Sequence, residues 1–166
     1  MHVQLSRNLT YNGPVSARLK RLIAESKFDP TQCVVRQVTR LSRALVARFD
    51  TEFAPTGLTS QQFTILMTLV RAGSMNVGEL SNFIGMDQST TTRALRPLER
   101  DGLIKIATGK DRRQRIISAT VLAETKLANA FPRWENLQAT VLSNLGSQEW
   151  QTTIQSLRTI RKSITT

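Results

Sequence analysis

The stretch NVGELSNFIGMDQSTTTRALRPLERDGLI, residues 76–104, decides the fold. Asn76 followed three residues on by Glu79 is a capping-box pair, so a short helix opens there. Val77, Leu80 and Ile84 mark its inward face and Gly85 ends it. Asp87 then caps a second helix that runs to about Arg100, with Asp101-Gly102 as its terminator. Only Gly85-Met86 separates the two, a turn of the length that sets two helices at a steep angle.

Downstream, the period changes from helix to strand. Leu103-Ile104-Lys105-Ile106 is β-prone, Thr108-Gly109-Lys110-Asp111 is turn material, and Arg115-Ile116-Ile117-Ser118 is β-prone again. The segment predicts a hairpin with a basic tip. Thr120 begins a long helical region to about Leu145, which Pro132 is expected to kink or split. Gly146 stops it and Ser147 caps a last helix with an apolar stripe at Trp150, Ile154, Leu157, Ile160 and Ile164.

Upstream, Thr59 with Gln62 predicts another capping box. The helix it opens buries Phe63, Leu66, Met67 and Val70 and stops at Gly73. Before it, Asp29-Pro30 predicts the start of a helix carrying Val34, Val38, Leu41, Leu45 and Phe49 on one face, ending near Ala54-Pro55. Residues 1–29 read as a basic arm, with a short helix at 15–26. The order of helix, short helix, helix and hairpin is that of a winged helix-turn-helix, a mainly α fold with a small β-hairpin wing (α+β). The division is an arm at 1–29, a first long helix at 30–57, a DNA-binding unit at 58–119 and C-terminal helices at 120–166, the terminal helices carrying long apolar stripes that need a surface to bury against.

In such a unit the second helix enters the major groove, and its N-terminal residues meet base edges. Here those are Gln88, Ser89, Thr90, Thr91, Thr92, Arg93 and Arg96. Short hydroxyl side chains permit close approach, and Arg93 and Arg96 project from one face to take a guanine edge or a phosphate. The wing adds Lys110, Arg112, Arg113 and Arg115, positive charge that a DNA backbone or minor groove neutralises. Residues 86–117 hold eight basic and four acidic side chains, so this unit is itself basic.

The whole chain of 166 residues carries 23 Lys+Arg against 12 Asp+Glu, a formal +11, which favours polyanions. No apolar run approaches the roughly 18 residues that cross a bilayer. The longest, at 63–70, is interrupted by Thr64 and Thr68. Residues 1–13 contain no stretch of signal-peptide character, so a cytoplasmic, nucleoid-associated protein is expected. The one histidine (His2) and the one cysteine (Cys33) argue against a Ser-His-Asp triad, a multi-cysteine metal site or a disulfide within the chain. No phosphate loop or convincing acid/base pair suggests an enzyme, and no cofactor or metal is expected. A non-specific architectural DNA binder is the alternative that net charge alone allows.

The sequence resembles the MarR family of bacterial regulators. The resemblance rests on APTGLTSQQFTIL (54–66), on residues 76–104, on KDRRQRIISAT (110–120) and on LANAFPRWENLQATVLSNLG (127–146). It covers roughly residue 31 onward. It implies that Arg113 is the wing-tip DNA contact and that Asp111 holds the wing through a salt bridge. It also implies an intertwined homodimer built from the first and last two helices, and DNA release by a small, aromatic or phenolic, effector. VLAETK at 121–126 departs from the family, which usually has a Gly near Ala123. Some members sense oxidants through an N-terminal cysteine; Cys33, at a helix start where the macrodipole favours the thiolate, is a candidate sensor beside its plainer reading as a packing residue. Arg36, Arg40 and Arg43 form a basic stripe that reads as a solvated face or a DNA or ligand contact. Trp134 is a core or interface residue, or lines a ligand cavity.

Overall fold

The computed structural model describes residues 17–109 and 114–164. The chain divides within a long helix, after Arg43, into two compact units. The first contains α1 (Ala17–Ala24), a 3₁₀ turn at Pro30–Gln32 and the opening of α2 (Val34–Phe53). Asp29 Oδ1 accepts from the Thr31 backbone N–H at 2.8 Å, so it caps the 3₁₀ turn. The expected start of the long helix at Pro30 is therefore corrected: α2 begins at Val34, and Cys33 is the residue that precedes it.

The second unit holds the core. α3 (Ser60–Ala72) opens with the Thr59/Gln62 capping box, both reciprocal bonds being present. Asp50 adds an unforeseen bond: its Oδ1 accepts from the Ser60 N–H at 2.6 Å and so ties the end of α2 to the start of α3. Phe63, Ile65, Leu66 and Leu69 of α3 are buried, whereas Val70, expected inside, is 43% exposed. The helix turns Leu69 inward in its place.

α4 (Val77–Ile84) follows β1 (Met75–Asn76) directly and opens with the Asn76/Glu79 capping box. Gly85 closes it at φ +73°, a left-handed conformation that glycine adopts without steric cost. α5 (Gln88–Arg100) runs unbroken through Pro97. β2 (Ile104–Thr108) and β3 (Arg115–Ala119) pair antiparallel, with Ile106 opposite Ile117. The expected hairpin is in fact part of a three-stranded sheet of order β1-β3-β2, because Met75 and Asn76 pair with Ile117 and Ile116.

α6 (Val121–Leu145) is a single helix, so of the expected kink or split at Pro132 the split does not occur. Phe131 and Trp134 flank the proline and pack against the core, which holds the helix together across the missing hydrogen bond. α7 (Ser147–Ile164) starts with Ser147 as its first helical residue; the carbonyl that accepts from Trp150 N–H belongs to Gly146. No residue of α7 is buried in the single chain. Among the described residues no helix is long and apolar enough to cross a membrane.

Candidate nucleic-acid interface

α5 is built so that one face is core and the opposite face is water. Leu95 and Leu98 are fully buried, while Gln88, Ser89, Thr92, Arg93 and Arg96 are exposed. The helix starts where it does because Asp87 caps it. Its Oδ1 accepts from Thr90 N–H at 2.8 Å and from Ser89 Oγ at 2.6 Å, and Oδ2 accepts from Thr90 Oγ1 at 2.6 Å. These donors, the Ser89 hydroxyl foremost, hold the Asp87 carboxyl well below the usual carboxylate range. An anion at the tip of a DNA-facing helix is thereby screened by its own neighbours and by the helix N-terminus.

The four hydroxyl residues of α5 are not equivalent. Thr91 is fully buried; its hydroxyl donates to the Asp87 carbonyl at 2.9 Å and lies 3.0 Å from Ser81 Oγ of α4. It has no surface with which to touch DNA. Thr90 is half-buried and accepts from Arg93 Nη2 at 3.2 Å, so it steadies that guanidinium. Thr92 donates to the Gln88 carbonyl at 2.8 Å, and Ser89 and Thr92 stay at the surface. Arg96 is exposed without a bond to its neighbours being needed to place it, since its position on the helix does so.

The wing leaves the end of α5 through Gly102, at φ +70°. Thr120 fastens this junction: its hydroxyl donates to the Gly102 carbonyl at 2.8 Å and accepts from Ala123 N–H at 3.3 Å as the cap of α6. Gly109 N–H donates to the Gln114 carbonyl at 2.8 Å and closes the described part of the wing. Arg115 is exposed on β3, opposite Thr108. Lys110, Asp111, Arg112 and Arg113 lie outside the described residues.

Ser81 is the residue that sequence reasoning missed. It is 2% exposed and its hydroxyl lies 2.6 Å from the Val77 carbonyl. Its signal is its place beside Leu80 on the inward face of an amphipathic helix. Trp134 stands in an aromatic series, its ring 6.3 Å from Phe63 and 5.3 Å from Phe131. Cys33 belongs to the other unit and is exposed. Arg36, Arg40 and Arg43 are exposed as well.

Residues 58–114, from just before α3 to just before β3, match the model of the MarR family. The chain is 27% identical over 93 residues to YwoH of Bacillus subtilis, an HTH-type transcriptional regulator, covering 56% of the chain and 68% of YwoH. It superposes on the M. tuberculosis transcriptional regulator MosR in complex with DNA with a TM-score of 0.71 at 29% identity, covering 80% of this chain and 98% of MosR. Bordetella bronchiseptica BpsR, whose DNA binding is regulated by 6-hydroxynicotinic acid, shares the fold at 20% identity and a TM-score of 0.74, over 82% and 98% of the two chains. The chain thus has a winged-helix fold, and the relatives that share it are DNA-binding transcriptional regulators.

Proposed function

We propose that the chain recognises specific sequences in double-stranded DNA, acts as a homodimeric repressor on a pseudo-palindromic operator, and is released by a small aromatic or phenolic ligand or by an oxidant. The observation that carries the first part is the two-sided α5: Leu95 and Leu98 anchor it in the core, and Gln88, Ser89, Thr92, Arg93 and Arg96 stand on its open face. A buried, capped helix with a polar outer face is a rigid element for base readout. Arg115 starts the second strand of the wing, and Lys110, Arg112 and Arg113, with Asp111 positioning them, complete its charge in the sequence. MosR, bound to DNA, supports the same use of this fold.

The homodimer reading rests on apolar surface that the single chain leaves in water. Val34, Val38, Leu41 and Leu45 of α2 are 38–49% exposed, and Leu142, Leu145 and Leu157 of α6 and α7 about as much, at 39–40%. Two helical faces of this kind are what a partner subunit covers. The 30–57 and 120–166 segments would then dimerise, the 58–119 unit would bind DNA, and the 1–29 arm would extend one or the other. BpsR supports release by a small molecule as something this fold accommodates. The exposed Cys33, just before α2, favours an oxidant as a second route.

The test is selection of bound fragments from a random duplex pool by the purified chain at near-physiological salt. Recovery of an inverted repeat with half-sites about ten base pairs apart is the expected result. A pool that binds tightly at low salt but stays unenriched would establish an architectural binder instead.

A further inference from the structure

Ser89, Thr90, Thr91 and Thr92 open α5, and each hydroxyl faces a group that has no hydrogen to give. Ser89 Oγ lies 2.6 Å from Asp87 Oδ1, and Thr90 Oγ1 lies 2.6 Å from Asp87 Oδ2. Thr91 Oγ1 is 2.9 Å from the Asp87 carbonyl and Thr92 Oγ1 is 2.8 Å from the Gln88 carbonyl. Carboxylates and carbonyls only accept, so all four hydroxyls are donors toward their own helix. What they leave for a partner is lone pairs and methyl groups.

Burial then sorts the four. Thr91 is inaccessible, and Thr90 is occupied on both sides, donating to Asp87 and accepting from Arg93 Nη2 at 3.2 Å. Ser89 and Thr92 remain at the surface. Ser89 Oγ, its hydrogen committed, would repel a phosphate oxygen and suits an amino group. Thr92 turns its oxygen back to the helix backbone, so its methyl is the part that meets a partner. In the major groove only adenine N6 and cytosine N4 offer amino donors, and only thymine carries a methyl.

We propose, on the sequence-reading function argued above, that the first turn of α5 selects its operator through an acceptor and a methyl: Ser89 Oγ accepts from the exocyclic amine of an adenine or cytosine, and the Thr92 methyl packs on the methyl of a thymine. Hydrogen-bond donors to DNA come from Gln88, Arg93 and Arg96. Thr90 is a positioning residue that aims Arg93, and Thr91 makes no DNA contact.

The experiment uses the full chain and the duplex most enriched by it from a random pool, with each thymine replaced in turn by deoxyuridine. Wild type loses about fourfold in affinity at one thymine of each half-site, the worth of one buried methyl group. Thr92→Val, which keeps the methyl and drops the hydroxyl, follows wild type. Thr92→Ser, which does the reverse, binds the thymine duplex as weakly as wild type binds the uracil one and ignores the replacement. A repeat selection with Ser89→Ala loses the preference for adenine or cytosine at one position and keeps the rest. Thr92→Val losing binding while Thr92→Ser retains it overturns the methyl contact. Ser89→Ala weakening every duplex equally, with a shallower salt dependence, overturns the amine contact in favour of a phosphate one. Failure of wild type to enrich any sequence ends the sequence-reading function itself, a result distinct from either.

Discussion

Ser81 of α4 and Thr91 of α5 meet hydroxyl to hydroxyl at 3.0 Å, and both are buried. Two polar groups in an otherwise apolar junction hold only because each also reaches a backbone carbonyl, of Val77 at 2.6 Å and of Asp87 at 2.9 Å. The pair fixes how α5 is presented, since sliding either helix would strand a buried hydroxyl. Thr91→Val keeps the shape, removes one hydroxyl and leaves Ser81 its carbonyl. It is expected to cost about 1 kcal/mol of stability in chemical denaturation. Base preference in a repeat selection stays that of wild type. A changed preference with unchanged stability would place Thr91 at the DNA after all.

The Asp87 carboxyl, held below its ordinary value of 3.8 by the Ser89 and Thr90 hydroxyls and the Thr90 amide, makes a prediction about acid. A carboxylate whose pKa is lower in the folded chain than in the unfolded one adds stability above the unfolded value and loses it as pH falls toward the folded one. Between pH 7 and pH 5 the stability difference between wild type and Asp87→Asn is therefore constant. Below the ordinary value it shrinks as the pH falls. Carbon NMR of the labelled carboxyl checks this directly, and titration of Asp87 above pH 4 would refute the hydrogen-bonded cap.

The capping pairs at Thr59/Gln62 and Asn76/Glu79 are legible in sequence because each cap is decided within four residues. Pro132 misleads for the opposite reason: locally it reads as a break, and the packing of Phe131 and Trp134 overrides it. β1 has two residues, too few to leave a periodic signal, and it exists only because β3 returns beside it. A run of similar hydroxyls conceals which one faces inward. The phase is nonetheless present in Leu95 and Leu98, since Thr91 stands four and seven residues before them on the same face. What no local pattern contains is the reach of Asp50 to the start of α3 or of Thr120 to Gly102, because both bonds join segments that only the fold brings together.

Arg93 and Arg113 are expected to fail differently. Arg93 stands on the open face of α5, with Thr90 accepting from its Nη2, and Arg113, outside the described residues, is proposed as the wing-tip contact. Arg93→Ala relaxes the base preference at one position of each half-site and costs about 1–3 kcal/mol against the selected duplex. Arg113→Ala weakens all duplexes more evenly and lowers the salt slope by about one per subunit. Binding to selected and scrambled duplexes across a salt series separates the two. Identical profiles for both variants would assign the two arginines one common role.

Cys33 offers a test of the oxidant route in which geometry sets the terms. The residue is exposed, and its carbonyl accepts from Gln37 N–H at 3.0 Å in the first turn of α2. Attack of the thiolate on hydrogen peroxide breaks the O–O bond, gives a sulfenic acid and releases hydroxide, adding a polar oxygen at the start of a helix whose apolar face is proposed to bind the partner subunit. Dimer contacts in that region would loosen, and the two DNA-binding units would lose the spacing an inverted repeat demands. Peroxide is therefore expected to lower the affinity of wild type for the selected duplex, and a thiol reductant to restore it. Cys33→Ser should bind as wild type does before treatment and show no response after it. A serine variant that still releases DNA under peroxide would remove Cys33 from the mechanism and leave the small-molecule route to account for release.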